Sequence, residues 1–136
     1  FKSSLSDGRN IVALADHDRR ALLGSTASGT LQLREDAHGL AFELRLPDTS
    51  VARDIAVLVE SRVIQGASFG FIVPPGGDTW LDRGDGSMLR ELRNVELQEV
   101  TVTATPAYAD TEVAKRSRPH QQTHVDLNRV WLETCR

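Results

Sequence analysis

Along much of the chain apolar and polar positions alternate with a period of two, and one stretch departs from that rhythm. In "NIVALADHD", Ile11, Ala13 and Ala15 fall on one side and Val12 and Leu14 on the other. Both sides are therefore apolar, as in a buried strand, and the run ends at Asp16 and His17. "TLQLREDAHGLAFELRLP" predicts a hairpin, with Leu31 and Leu33 on one strand, Leu40, Phe42, Leu44 and Leu46 on the next, and a polar turn containing Gly39 between them. After Pro47 the spacing changes to three and four. Asp48, Thr49 or Ser50 can cap a helix whose shared face carries Val51, Ile55, Leu58, Val59 and Arg62, and Gln65 and Gly66 stop it.

Alternation returns in "QGASFGFIVPPGG", where Phe69, Phe71 and Val73 interleave with Ser68, Gly70 and Ile72, so that Ser68 heads one face of a strand. The glycine-rich "PPGGDTWLDRGDG" reads as a surface loop, with Trp80 packing within it or serving as a lid. In "NVELQEVTVTATP", Val95, Leu97 and Glu99 share one parity while Val100, Val102 and Ala104 hold the other. The apolar face thus changes sides near Glu99. A β-bulge explains such a slip; without one, Glu99 is a carboxylate on an otherwise apolar face, or a solvated residue of an exposed edge. From Lys115 the chain turns polar, and "VDLNRVWLETC" predicts a short terminal helix through Val125, Val130, Trp131 and Leu132. The organisation expected is a strand-rich domain over residues 1–114, then a polar linker and short terminal helix over 115–136. No internal repeat interrupts it.

Composition narrows the function classes. With 136 residues, 40% hydrophobic and 26% charged, the chain fits one globular domain. Its 16 basic and 19 acidic residues give a net charge of −3 and no electrostatic drive toward nucleic acid or an anionic membrane, so neither partner is expected. No apolar run approaches the roughly 20 residues that span a bilayer, and no secretory-signal pattern occurs, so a soluble protein is expected. The single cysteine, Cys135, has no internal disulfide partner, which fits a reducing compartment. A start at Phe1 instead of methionine suggests that the natural chain begins upstream.

Ser68, beside Gly66 and Ala67, either closes a turn or acts as a nucleophile. Nucleophilic serine needs a base, most often a histidine oriented by a third group, and His17, Ser68 and Glu99 can supply all three. Metal binding is the rival. His120 and His124 are four apart, but they lie in a polar segment without the glutamate of a metalloprotease helix. Asp16 and Asp18 flank His17 on alternate sides of an extended chain and do not converge with it. Cys135 sits too near the terminus for a cysteine-protease constellation. "GSTASGT" lacks the lysine of a phosphate-binding loop, and "AKRSR" reads as a solvated linker of the kind proteases cut. No metal and no cofactor is expected.

Taken together, "ADHD", "LLGSTASGTLQLREDAHGLAFELRLPDTSVARD", "GASFGF", "LQEVTV" and "TPAYADTEVAKRS" resemble the phage prohead protease family, capsid-maturation serine peptidases distantly related to the herpesvirus assemblins. The resemblance runs from about Val12 to Ser117, with five separated segments in order. It implies Ser68 of "GASFGF" as the nucleophile, His17 of "ADHD" as the base and, where assemblins use a second histidine, the acidic Glu99 of "LQEVTV" as the third member, in preference to Glu96. It implies a mainly β fold, a compact β-barrel with helices packed around it. Family members usually carry a glycine-rich stretch ahead of the segment that begins here at Phe1, and that stretch contributes to the barrel. Backbone amides near Ala107 and Tyr108 are the candidate oxyanion donors.

The activity implied is that of a serine endopeptidase inside the phage procapsid, assembled in the bacterial host cytoplasm. Its substrates are the major capsid protein or its scaffold segment, and the protease itself in trans; association into a homo-oligomer is left open. The alternative is a catalytically silent assembly or scaffolding module that binds capsid protein.

Overall fold

The computed structural model describes residues 1–36, 39–107, 114–116 and 126–128. A short helix, α1 (Lys2–Ser6), is followed by β1 (Val12–Ala15), β2 (Asp18–Ser25), β3 (Leu31–Asp36) and β4 (Gly39–Arg45). Helix α2 (Ser50–Glu60) then leads into β5 (Gly66–Ile72), β6 (Asp78–Asp82), β7 (Met88–Leu92) and β8 (Glu96–Thr103), and β9 (Ala114–Arg116) and β10 (Asp126–Asn128) complete the described strands. The fold is mainly β, as expected.

Two four-stranded sheets share one core. The first runs β2-β1-β8-β5, antiparallel except for the β1–β8 pair; the second runs β3-β4-β10-β9. Between them lie Ile11, Ala13, Leu23, Leu31, Leu40, Phe42, Leu44, Leu97, Val100 and Val102, closed on one side by Ala52, Ile55 and Val59 of α2. The expected β3–β4 hairpin is present in continuous register from Leu31↔Leu44 to Asp36↔Gly39.

The sheets are not closed into a barrel among the described residues, which corrects the barrel expectation. Between β2 and β3 lies the Thr26–Thr30 corner. There the Ile11 N–H donates to Thr26 Oγ1 and the Ser25 N–H to Thr30 Oγ1, while Gly29 N–H bonds Thr26 O. These groups are satisfied within the corner, and β2 and β3 leave it in different sheets.

Helix α2 starts as expected: the Thr49 hydroxyl accepts the Ala52 N–H at 3.2 Å. It ends earlier than expected, at Glu60. Arg62 adopts a left-handed φ of 60°, the Val63 N–H returns to Leu58 O, and Ile64 turns into the core, a hydrophobic closure that the stop at Gln65 and Gly66 did not anticipate.

Two further expectations change. The stretch read as a loop contains β6, the first strand of the β6–β7 hairpin, in which Trp80 pairs with Arg90 and Leu81 with Leu89. Its turn is tied by Asp82 accepting the Gly84 N–H and Asp85 accepting the Ser87 N–H and hydroxyl; those bonds hold the Asp85 carboxyl below its usual range. Arg90 ion-pairs with Asp78 and lies over the Trp80 ring, which is an exposed residue of the hairpin and not a loop anchor. Toward the C-terminus, Asp126–Asn128 is a strand against β4 where the apolar spacing predicted a helix; the remainder of that stretch, from 129 onward, lies outside the described residues. No helix among the described residues is long and apolar enough to cross a membrane.

Candidate active site

The parity slip at Glu99 is a real break in the ladder. Gly70 pairs with Glu99 and the next residue, Phe71, pairs with Leu97, so Gln98 is the extra residue of a bulge. Because of it, Leu97 joins Val100 and Val102 in the core, while Glu99 turns to the opposite face with Thr101. Without the extra residue Glu99 would share the core side with Leu97. Upstream of the bulge, Ser4 of α1 closes the ladder: its hydroxyl donates to Val95 O and accepts the Leu97 N–H.

On that opposite face four strands contribute in register. One row is Leu22, Leu14, Thr101 and Ser68; the next contains Val12, Glu99 and Gly70. Ser68 and Glu99 are therefore diagonal neighbours on adjacent strands, both buried, at 5% and 8% exposure. Gly70 is required beside them. A Cβ at Gly70 would stand 2.7 Å from Glu99 Cγ and 3.1 Å from its Oε1, so only glycine leaves room for the carboxylate.

His17 reaches this face from the turn between β1 and β2. Asp16 and His17 have φ of 48° and 59°, the left-handed conformation that two-residue hairpin loops require and that Asp and His tolerate better than most residues. The Asp16 N–H bonds Val102 O, and the His17 N–H donates to Thr101 Oγ1 at 2.9 Å. The imidazole then folds back along the sheet, and its Nδ1 lies 2.5 Å from Glu99 Oε1, with half of the ring side exposed and the glutamate nearly enclosed. An ionised carboxylate only accepts, so Nδ1 carries the hydrogen of this bond and Nε2 is left as the basic nitrogen.

The neighbouring carboxylates are engaged elsewhere. Asp18 accepts the Arg20 backbone N–H and its guanidinium, which holds the carboxyl below its usual range. Glu96 pairs with Arg9 at 3.1 Å on a more exposed surface. Of the carboxylates weighed from the sequence, Glu99 is the one bonded to His17.

The structure thus joins His17 to Glu99 directly and sets Ser68 in the adjacent row. Among the described residues no hydrogen bond links Ser68 Oγ to His17. Of the oxyanion candidates, Ala107 is an exposed residue following Pro106, which packs over Gly66 at the start of β5; Tyr108 lies outside the described residues. His120, His124 and Cys135 also lie outside them, and no three metal-ligating side chains converge among the described residues. Sequence reasoning missed Thr101 and Gly70. A glycine between two phenylalanines was the available signal for Gly70, since strand glycines mark close approach.

Gly70→Ala is accordingly expected to displace the Glu99 carboxylate and slow catalysis by about 10²-fold, the order of loss for a 1 Å misplacement. Rate per mole of folded protein measures this; an unchanged rate would mean that the carboxylate position tolerates the added methyl.

No curated protein and no solved structure matches the chain. The family model of the caudovirus prohead serine proteases, however, matches residues 1–125 of the 136, a span that includes His17, Ser68 and Glu99. The chain belongs to the caudovirus prohead serine protease family, a family of serine peptidases.

Proposed function

We propose that this protein is the endopeptidase of phage capsid maturation, with Ser68 as nucleophile, His17 as general base and Glu99 as the residue that orients the imidazole and stabilises the imidazolium. The observation that carries the reading is the His17 Nδ1 to Glu99 Oε1 contact at 2.5 Å, one row from a buried serine on the next strand. Held at Nδ1, the imidazole offers Nε2 to the Ser68 hydroxyl. Such bonds often tighten only when substrate is bound.

In the reaction proposed, Nε2 takes the Ser68 proton as Oγ bonds the scissile carbonyl carbon. The imidazolium, stabilised by Glu99, then protonates the leaving amine as the C–N bond breaks. Water, deprotonated by the same nitrogen, releases the acyl group and restores the serine. β5 is an edge strand of its sheet among the described residues, which suits an extended polypeptide substrate lying beside Ser68. The substrate proposed is the scaffold segment of the major capsid protein inside the procapsid in the host cytoplasm. Incubation with capsid protein should release that segment, and Ser68→Ala should not; release by both would assign the cleavage to another protease.

A maturation protease also acts on itself. Residues Thr111–His124 are polar and charge-rich in sequence, although Ala114–Arg116, read from the sequence as linker, is the edge strand β9 and must leave its sheet to be cut. Slow cleavage within Thr111–His124 is expected in active protein and not in Ser68→Ala, as mass spectrometry over time would show. Intact C-termini in a preparation that cleaves capsid protein would remove the tail from the substrates, and equal trimming of both proteins would point to a contaminant.

A further inference from the structure

We propose that Thr101 is a positioning residue that fixes the backbone root of His17, an inference resting on the reading of Ser68, His17 and Glu99 as the catalytic set. Thr101 is fully buried on β8, with Leu14 as its partner on β1 and Ser68 as its partner on β5. Its strand neighbours in the core are Val100 and Val102, and valine would suit packing at a buried strand position equally well. A buried hydroxyl is costly unless bonded, so its partners indicate its use.

Both partners belong to the His17 segment. Thr101 Oγ1 accepts the His17 backbone N–H at 2.9 Å and donates to Leu14 O at 3.1 Å. The β1–β2 register is irregular on both sides of Leu14, so that carbonyl lies where the regular ladder is broken. The hydroxyl thereby bridges the last part of β1 to the far side of the turn. The turn needs such a tie, because Asp16 and His17 both occupy left-handed conformations that persist only where surrounding structure imposes them.

The imidazole is consequently held at two points. Glu99 fixes its Nδ1 end, and Thr101 fixes the backbone from which the side chain departs. Loss of the second tie leaves the Glu99 contact available but lets the turn, and with it Nε2, shift relative to Ser68. Because Ser68 is itself the register partner of Thr101, the hydroxyl links the nucleophile strand to the His17 end of the turn, while the Asp16 N–H bond to Val102 O holds the other end.

The test uses full-length protein and a fluorophosphonate probe, with labelling rate measured per mole of folded protein in Thr101→Val, Thr101→Ser and Ser68→Ala. Thr101→Val keeps the shape and removes the hydroxyl. It should label about 10²-fold more slowly than wild type and lose the far-downfield proton resonance of the His17–Glu99 bond. Thr101→Ser, which retains the hydroxyl, should restore both. Wild-type labelling and an unchanged resonance in folded Thr101→Val, even with a lower melting temperature, would overturn the inference and leave Thr101 a purely structural role. If Thr101→Val does not fold, Thr101→Cys carries the same comparison, since a thiol is a weak acceptor of similar size. Labelling of Ser68→Ala at the wild-type rate would instead remove the catalytic reading itself, and this inference with it.

Discussion

His17→Ala is expected to reduce peptide cleavage by about six orders of magnitude, the scale seen when a base acting as one unit with its serine is removed. Among the described residues the imidazole is the group bonded to Glu99 beside the Ser68 strand. The nearby carboxylates of Asp18 and Glu96 are engaged by Arg20 and Arg9. The fold should survive, because the ring is half exposed and the turn is held through its backbone. Cleavage rates per mole of protein, with circular dichroism of the same samples, check both points. Near-normal cleavage by His17→Ala would remove the histidine from the mechanism.

Glu99→Gln is expected to lower the rate by up to about four orders of magnitude, since an amide can present the wrong hydrogen-bonding group to Nδ1 and cannot stabilise the imidazolium. Glu96→Gln should have a small effect, because its partner is the partly exposed Arg9 and such surface pairs contribute at most about 1 kcal/mol. The two positions are three residues apart, and the bulge at Gln98 separates their surroundings. Rates per mole of folded protein distinguish them. Equal, large losses in both variants would contradict the facing of β8 described above.

Much of this site was legible because it depends on local parity. The exchange of apolar sides around Glu99 is written in "VELQEVTV", and of the explanations it allowed the bulge is the one present; the alternation around Ser68 likewise gave the two faces of β5. His17 at the end of an apolar run was legible as a position but not as a geometry, since Asp-His does not announce a left-handed turn as Asn-Gly does. What stayed hidden depends on pairings between distant segments. Thr101 looks like any strand threonine until β1 and β5 are set on either side of it. Barrel closure failed as an expectation for the same reason: it is a property of which edges meet, and among the described residues the edges β2 and β5 of one sheet do not pair with the edges β3 and β9 of the other. In the β6–β7 hairpin, glycine and aspartate dominated the composition, although Thr79, Trp80 and Leu81 carry strand preference between them.

The central claim is that Ser68 is an activated nucleophile. Fluorophosphonate labelling of full-length protein, followed by peptide mapping, addresses it most directly, because the probe forms a covalent bond only with a serine whose proton a base can remove. One adduct at Ser68, absent from folded Ser68→Ala and strongly reduced in His17→Ala, is the result predicted. A folded, full-length protein that takes up no probe, or an adduct that persists in Ser68→Ala, would contradict it.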